Sequence, residues 1–118
     1  MEILENWWVI PVLITTLWII IKYSGTKKRK IVKELINNGA KVIDVRTASE
    51  FKAGNIKNSI NIPLSDLNKR ISDFNQKEDK IITVCAAGVR AESAKKIFKE
   101  KGFEVENGGR WSSLKGMV

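Results

Sequence analysis

Residues 7–21, WWVIPVLITTLWIII, carry no charge, and Pro11, Thr15 and Thr16 are the only breaks in an apolar run. Wound as a helix, this stretch has no polar face. A chain of 118 residues has room for about one small domain and cannot hide such a helix inside it. The run therefore calls for lipid. It rises ~22 Å, or ~25 Å when extended to Tyr23, against a hydrocarbon slab of ~30 Å. Trp7, Trp8 and Tyr23 are suited to the two headgroup regions, and Lys22 can extend its stem through the boundary while its ammonium stays wet. Pro11 lies near the start, where a helix tolerates proline best.

The flanking charges decide between an anchor and a cleaved leader. Glu2 and Glu5 precede the run and KKRK follows at 27–30, the reverse of a secretory layout. By the positive-inside rule the expected arrangement is a single-pass anchor in the cell (inner) membrane, N-terminus outside and the remainder cytoplasmic. The expected organisation is a tail at 1–6, a transmembrane helix at 7–23, a basic linker at 24–28 and a folded domain at 29–118.

The formal charge of +8 does not imply nucleic acid. Residues 1–30 account for +3 of it, and the basic residues of the domain are scattered, with no aromatic and arginine ladder on which bases would stack. KKRK beside an apolar helix is explained by topology and by anionic lipid. No histidine and a single cysteine remove the usual ligands of zinc and allow no internal disulfide, so neither a metal nor another cofactor is expected.

From about residue 28 the pattern alternates helix and strand. RKIVKELINNG has helical spacing closed by Asn38 and Gly39, and KVIDV (41–45) is a short apolar strand. TASEFKAG reads as one capped turn, with Thr47 or Ser49 as cap, and SINIP (59–63) as a brief strand. Leu67, Ile71 and Phe74 mark a helix with Ser65 as its cap. KIITVC (80–85) reads as a buried strand, and RAESAKKIFKEKG as a helix with Ala91, Ala94, Ile97 and Phe98 on one face. FEV is a last strand and SSLK a last turn. Short buried strands alternating with helices predict an α/β fold, a small parallel sheet covered on both faces.

This order puts Cys85 at the carboxyl end of a central strand, where open α/β sheets place their sites. The following loop, Ala86, Ala87, Gly88, Val89 and Arg90, is small enough to curl its N–H groups toward one point, and the next helix adds its positive end. A thiol so placed is set up as a nucleophile.

Three segments resemble the single-domain rhodaneses. DVRTASEFKAGNIKNSINIP (44–63) is similar to the family's N-terminal signature, here Asp44 and Arg46, Glu50 and Phe51, Gly54 and Ile56, and Asn61, Ile62 and Pro63. CAAGVRAESA (85–94) resembles the active-site loop, with Cys-x-x-Gly-x-Arg followed by Ala94, and NGGRWSSLKGMV resembles the closing segment. Two positions depart from the pattern: Asn55 stands where the family commonly has His, and Asn58 where it commonly has Gly. The Asp44, Arg46 and Glu50 cluster reads as a buried or half-buried charge network rather than a catalytic set.

The resemblance implies a rhodanese-like sheet and a sulfurtransferase. Cys85 would be the nucleophile, taking sulfur from a small anionic donor such as thiosulfate and passing it from a persulfide to cyanide or a thiol. The amides of residues 86–90 would bind the transferred sulfur, and Arg90 would draw in the donor or brace the loop. The alternatives are a persulfide carrier or binding module serving a membrane protein partner, and a Cys-based phosphatase or arsenate reductase. From Cys85 to Arg90 inclusive there are six residues, the size the resemblance associates with sulfur, whereas a phosphate needs a wider cradle.

Overall fold

Four strands pair in parallel, in the order β2, β1, β3, β4, where β1 is Lys41–Asp44, β2 Ile60–Asn61, β3 Lys80–Cys85 and β4 Glu104–Arg110. The computed structural model describes residues 5–118 and divides into two units, Met1–Ile31 and Val32–Val118. Glu2, part of the charge argument for topology, lies outside the described residues.

One helix, α1, runs from Val9 to Asn37 and is long and apolar enough to cross a membrane. None of its apolar window is buried, and Trp18 and Ile21 are each more than half accessible. Both threonines of the run turn their hydroxyls inward: Thr15 donates to Val12 O at 2.9 Å, and Thr16 to Val12 O at 2.9 Å and Leu13 O at 3.0 Å. Hydroxyls satisfied on their own helix do not need water. Residues 24–28, expected as a linker, are helical within α1. Gly25 costs only ~1 kcal/mol relative to Ala, the lysines are good helix formers, and Thr26 donates back to Lys22 O at 2.9 Å, so nothing there stops the helix.

In the second unit the alternation of strand side chains builds two cores. On one face Ile43, Val45, Ile81 and Val105 meet Ala91, Ala94 and Phe98 of α4 (Val89–Glu100). Phe98 is fully buried and takes Phe74 and Phe103 edge-on, at ring separations of 5.9 and 5.2 Å. The opposite face packs Val42, Ile82 and Val84 on Val32, Leu35, Ile56 and Leu114. Strands buried on both sides read as unbroken apolar runs, which is why KIITVC is recognisable as one.

α2 (Ala48–Ala53) begins with a full capping box: Thr47 Oγ1 accepts from Glu50 N at 3.3 Å, and Glu50 Oε1 accepts from Thr47 N at 3.1 Å. The segment expected as one helix capped by Ser65 is instead three short pieces. They are a turn at Leu64–Asp66, α3 at Leu67–Arg70 and a turn at Ile71–Asp73, and no side chain caps any of them. Pro63 fixes the entry geometry, and the buried Leu67 and Ile71 hold the pieces against the sheet without a continuous helix.

β4 is longer than FEV implies, because pairing with β3 draws in residues with little intrinsic strand preference. Its register shifts between Thr83, opposite Asn107, and Val84, opposite Gly109, which leaves Gly108 as the extra residue of a bulge. A Cβ on Gly108 would lie 2.8 Å from Ile82 Cγ2 and 3.0 Å from Val84 Cγ1. Gly108→Ala is therefore expected to destabilise the domain by about 1–3 kcal/mol through overpacking, which thermal or urea unfolding checks.

Candidate active site

Cys85 is the last residue of β3, and its side chain is 1 % exposed. Its Sγ accepts two backbone hydrogen bonds, from Gly88 N at 2.9 Å and from Ala91 N at 3.3 Å. The first donor comes from the loop and the second from the opening turn of α4, whose leading N–H groups have no partner within the helix. Gly88, at φ 96°, holds a left-handed conformation that a side chain would strain, and this reverses the chain so that both donors converge on one sulfur. Thr83, one step back on the same face of β3, donates from Oγ1 to Ala91 O at 2.8 Å and ties α4 to the strand.

Of the loop residues predicted to bind sulfur, Gly88 alone donates to Sγ. Ala86 and Ala87 are exposed on the outer turn, and Val89 is 76 % exposed at the start of α4. Ala91 was not among the expected contacts. The free amides of a helix start, counted to the third position, would have pointed to it.

Arg90 makes no hydrogen bond to the sulfur and pairs with Glu50 of α2, its two Nη atoms donating at 2.7 and 2.9 Å to the two carboxylate oxygens, while the sulfur stays within electrostatic reach of the guanidinium. Arg90, with the Thr47 amide behind it, lowers Glu50 from 4.5 to about 2, and the same carboxylate raises Arg90 further above its already high value. The folded-state value of Glu50 is the depressed one, so its contribution is complete above pH 4.5 and is lost as pH falls toward 2. Glu50→Gln is therefore expected to flatten the acid limb of the stability curve across that window and leave the neutral limb parallel to wild type. Acid unfolding of both proteins measures this.

The expected charge network exists with a different division. Asp44 is fully buried and Arg46 is 4 % exposed. Arg46 donates from Nε at 2.9 Å and from Nη2 at 2.8 Å to the Asp44 carboxylate, Nη2 also donates to Gly54 O at 2.7 Å, and Nη1 donates to Glu50 O at 3.3 Å. Its Cζ lies 4.4 Å from the centre of the Trp111 ring. Arg46 thus takes Glu50 by its backbone and leaves the carboxylate to Arg90. Asn61 bridges Asp44 O and Arg46 O, both at 3.0 Å. Asn55, in place of histidine, donates to Phe51 O at 2.9 Å at the end of α2, and Asn58, in place of glycine, has φ 67°, a conformation asparagine tolerates.

A rhodanese-like domain model matches residues 28–109. The thiosulfate sulfurtransferase GlpE of Pseudomonas aeruginosa is 33 % identical over 75 residues, covering 61 % of this chain and 64 % of its own. The putative sulfur carrier protein YrkF of Bacillus subtilis is 33 % identical over 63 residues, covering 53 % of this chain and 34 % of its own. The chain therefore spans about a third of the carrier and just under two thirds of the sulfurtransferase. Among solved structures, a rhodanese with anions from E. coli superposes with a TM-score of 0.58 at 33 % identity, over 63 % of this chain and 89 % of that one. A parallel α/β sheet, a cysteine at the end of its central strand under a Cys-x-x-Gly-x-Arg loop, and a family match over most of the chain lead to one conclusion: this chain belongs to the rhodanese-like domain family.

Proposed function

We propose that the chain is a membrane-anchored sulfurtransferase whose nucleophile is Cys85. The observation that carries this reading is the pair of N–H donors aimed at Sγ. Such donors stabilise negative charge on sulfur without reorganising. The thiolate attacks the outer sulfur of thiosulfate, a new S–S bond forms, and the old one breaks with its electron pair leaving as sulfite. Cyanide or a thiolate then attacks the outer sulfur of the Cys85 persulfide, which releases thiocyanate or a new persulfide and returns the thiolate. No net redox partner is required.

Arg90 serves this site first as a brace, because both ends of its guanidinium fork are engaged by Glu50. A second reading, a persulfide carrier that hands sulfur to a protein, is supported by Val89, an exposed apolar side chain four residues beyond a buried nucleophile. Intact mass spectrometry after thiosulfate treatment tests the common step: the full chain is expected to gain about 32 Da, one sulfur atom, and, as a transferase, to lose it to cyanide. No gain, together with hydrolysis of aryl phosphates, would overturn the reading. Release to cyanide at an enzymatic rate favours the transferase, and a persulfide stable to cyanide favours the carrier.

For location we propose a cytoplasmic domain and an outward N-terminus, on the strength of KKRK at one end of the apolar segment. Cys85 is too buried to report on this. In a Cys85→Ser background, Lys57→Cys on an exposed loop is expected to stay unlabelled by an impermeant maleimide in intact cells and to label once they are broken. Labelling in unbroken cells would reverse the orientation.

A further inference from the structure

We propose that Asn107 is the positioning residue of the sulfur cradle, acting through Gly88. This rests on the sulfurtransferase reading for its consequence in catalysis, and on geometry alone for its effect on the loop.

Asn107 sits on β4 opposite Thr83, immediately before the bulge, with its side chain toward α4. The residue is 7 % exposed, and both its amide hydrogens are committed. Nδ2 donates to Gly88 O at 3.1 Å and to Glu92 Oε2 at 2.9 Å. Its Oδ1 accepts from Gly109 N at 2.7 Å. One side chain thus joins the bulged strand, the active loop and the first turn of α4.

The physical need is specific to Gly88. Its N–H is the nearer donor to Cys85 Sγ, and as glycine it has the widest freedom to rotate the two peptides on either side. The helix restrains Gly88 O from one direction, through Glu92 N at 3.1 Å. That bond moves with α4. The bond from Asn107 refers the same carbonyl to β4, which pairs directly with the strand carrying the nucleophile, Cys85 opposite Arg110. The Gly88–Val89 peptide is thereby referred to the same sheet as the sulfur, which fixes one of the two peptides flanking the glycine whose N–H is the donor. The β4 backbone also lies close beneath the loop, since a Cβ on Gly88 would fall 3.5 Å from Gly109 Cα. A donor that must meet charge in the transition state contributes only as far as it is held in place.

Asn107→Asp keeps the shape and the acceptor for Gly109 N, removes both donors and sets a carboxylate against Gly88 O and Glu92. Asn107→Ala removes the donors without adding charge and serves if the first variant folds poorly. With the full chain in detergent micelles, the expected result for either is a kcat for thiosulfate-to-cyanide transfer lower by about tenfold, with KM for thiosulfate within about twofold. Amide exchange of residues 88–91 is expected to quicken while the other strands keep wild-type protection. Asn107→Asp with Glu92→Gln restores a donor to residue 107 from α4 but none to Gly88, and is expected to remain slow. Unchanged kcat and exchange, a loss confined to KM, or recovery in the double variant would each overturn the proposal. If wild type transfers no sulfur, the sulfurtransferase reading fails, and exchange at 88–91 alone decides whether Asn107 holds the loop.

Discussion

Cys85→Ser is expected to abolish the thiosulfate-dependent gain in mass and to lower thiocyanate release by roughly a thousandfold or more, while the protein remains folded. The replacement is nearly isosteric, and the hydroxyl can still accept from Gly88 N and Ala91 N, which now meet Sγ at 2.9 and 3.3 Å. The cradle therefore survives. Its purpose does not, because a serine hydroxyl is not ionised at neutral pH and forms no persulfide. Cys85 is also the chain's single cysteine, so no second thiol can stand in. Matched circular dichroism with the activity lost is the expected pair of observations. Residual transfer at more than about a hundredth of the wild-type rate would show that sulfur moves without covalent attachment here.

The second large effect belongs to Asp44→Ala, which leaves the Arg46 guanidinium buried with its charge uncompensated. Breaking one side of a buried pair costs about 3–5 kcal/mol, mostly the desolvation of the charge left behind. For a domain of this size that lowers Tm by roughly 15–30 °C, a large part of the total stability. The consequence extends to the site. Arg46 is the group that holds Glu50 O and Gly54 O, and Glu50 in turn carries Arg90 through its carboxylate. Asp44→Ala is thus expected to loosen α2 and the start of α4 together, seen as faster amide exchange at 48–54 and 88–91. Asp44→Val with Arg46→Met, which removes both charges at a similar total volume, should regain much of the stability without restoring the hold on α2. A loss below about 1 kcal/mol in the single variant would show that water reaches the guanidinium and relieves it.

How far the chain could be read before folding differs from segment to segment, for a physical reason in each case. KIITVC and RAESAKKIFKE are legible because burial on both faces writes an unbroken apolar run and helix burial writes a 3.6-residue period. Thr47 is legible as a cap because its partner lies three residues away. The continuation of α1 through residues 24–28 was not legible, since a stretch of Lys, Arg, Gly and Thr is compatible with either linker or helix. Nor was the full extent of β4, whose Asn107, Gly108 and Gly109 are strand only because β3 offers them partners.

At the site the same division holds. The order of the residues alone placed Cys85 at a strand end, put a glycine three positions on and an arginine five on, and bounded the loop, because these are local facts of spacing. Tertiary structure decided the partners. Glu50 and Arg90 are forty positions apart, Asn107 and Gly88 nineteen, and the carboxylate that engages Arg90 is there only because the sheet brings α2 to it. Ala91 became a donor to sulfur for a similar reason: a helix start has free amides in any context, but only the turn at Gly88 aims one of them at Sγ. Side-chain chemistry is carried by the sequence, and direction is conferred by packing, since a hydrogen bond between distant residues exists only once the elements that bear them are fixed.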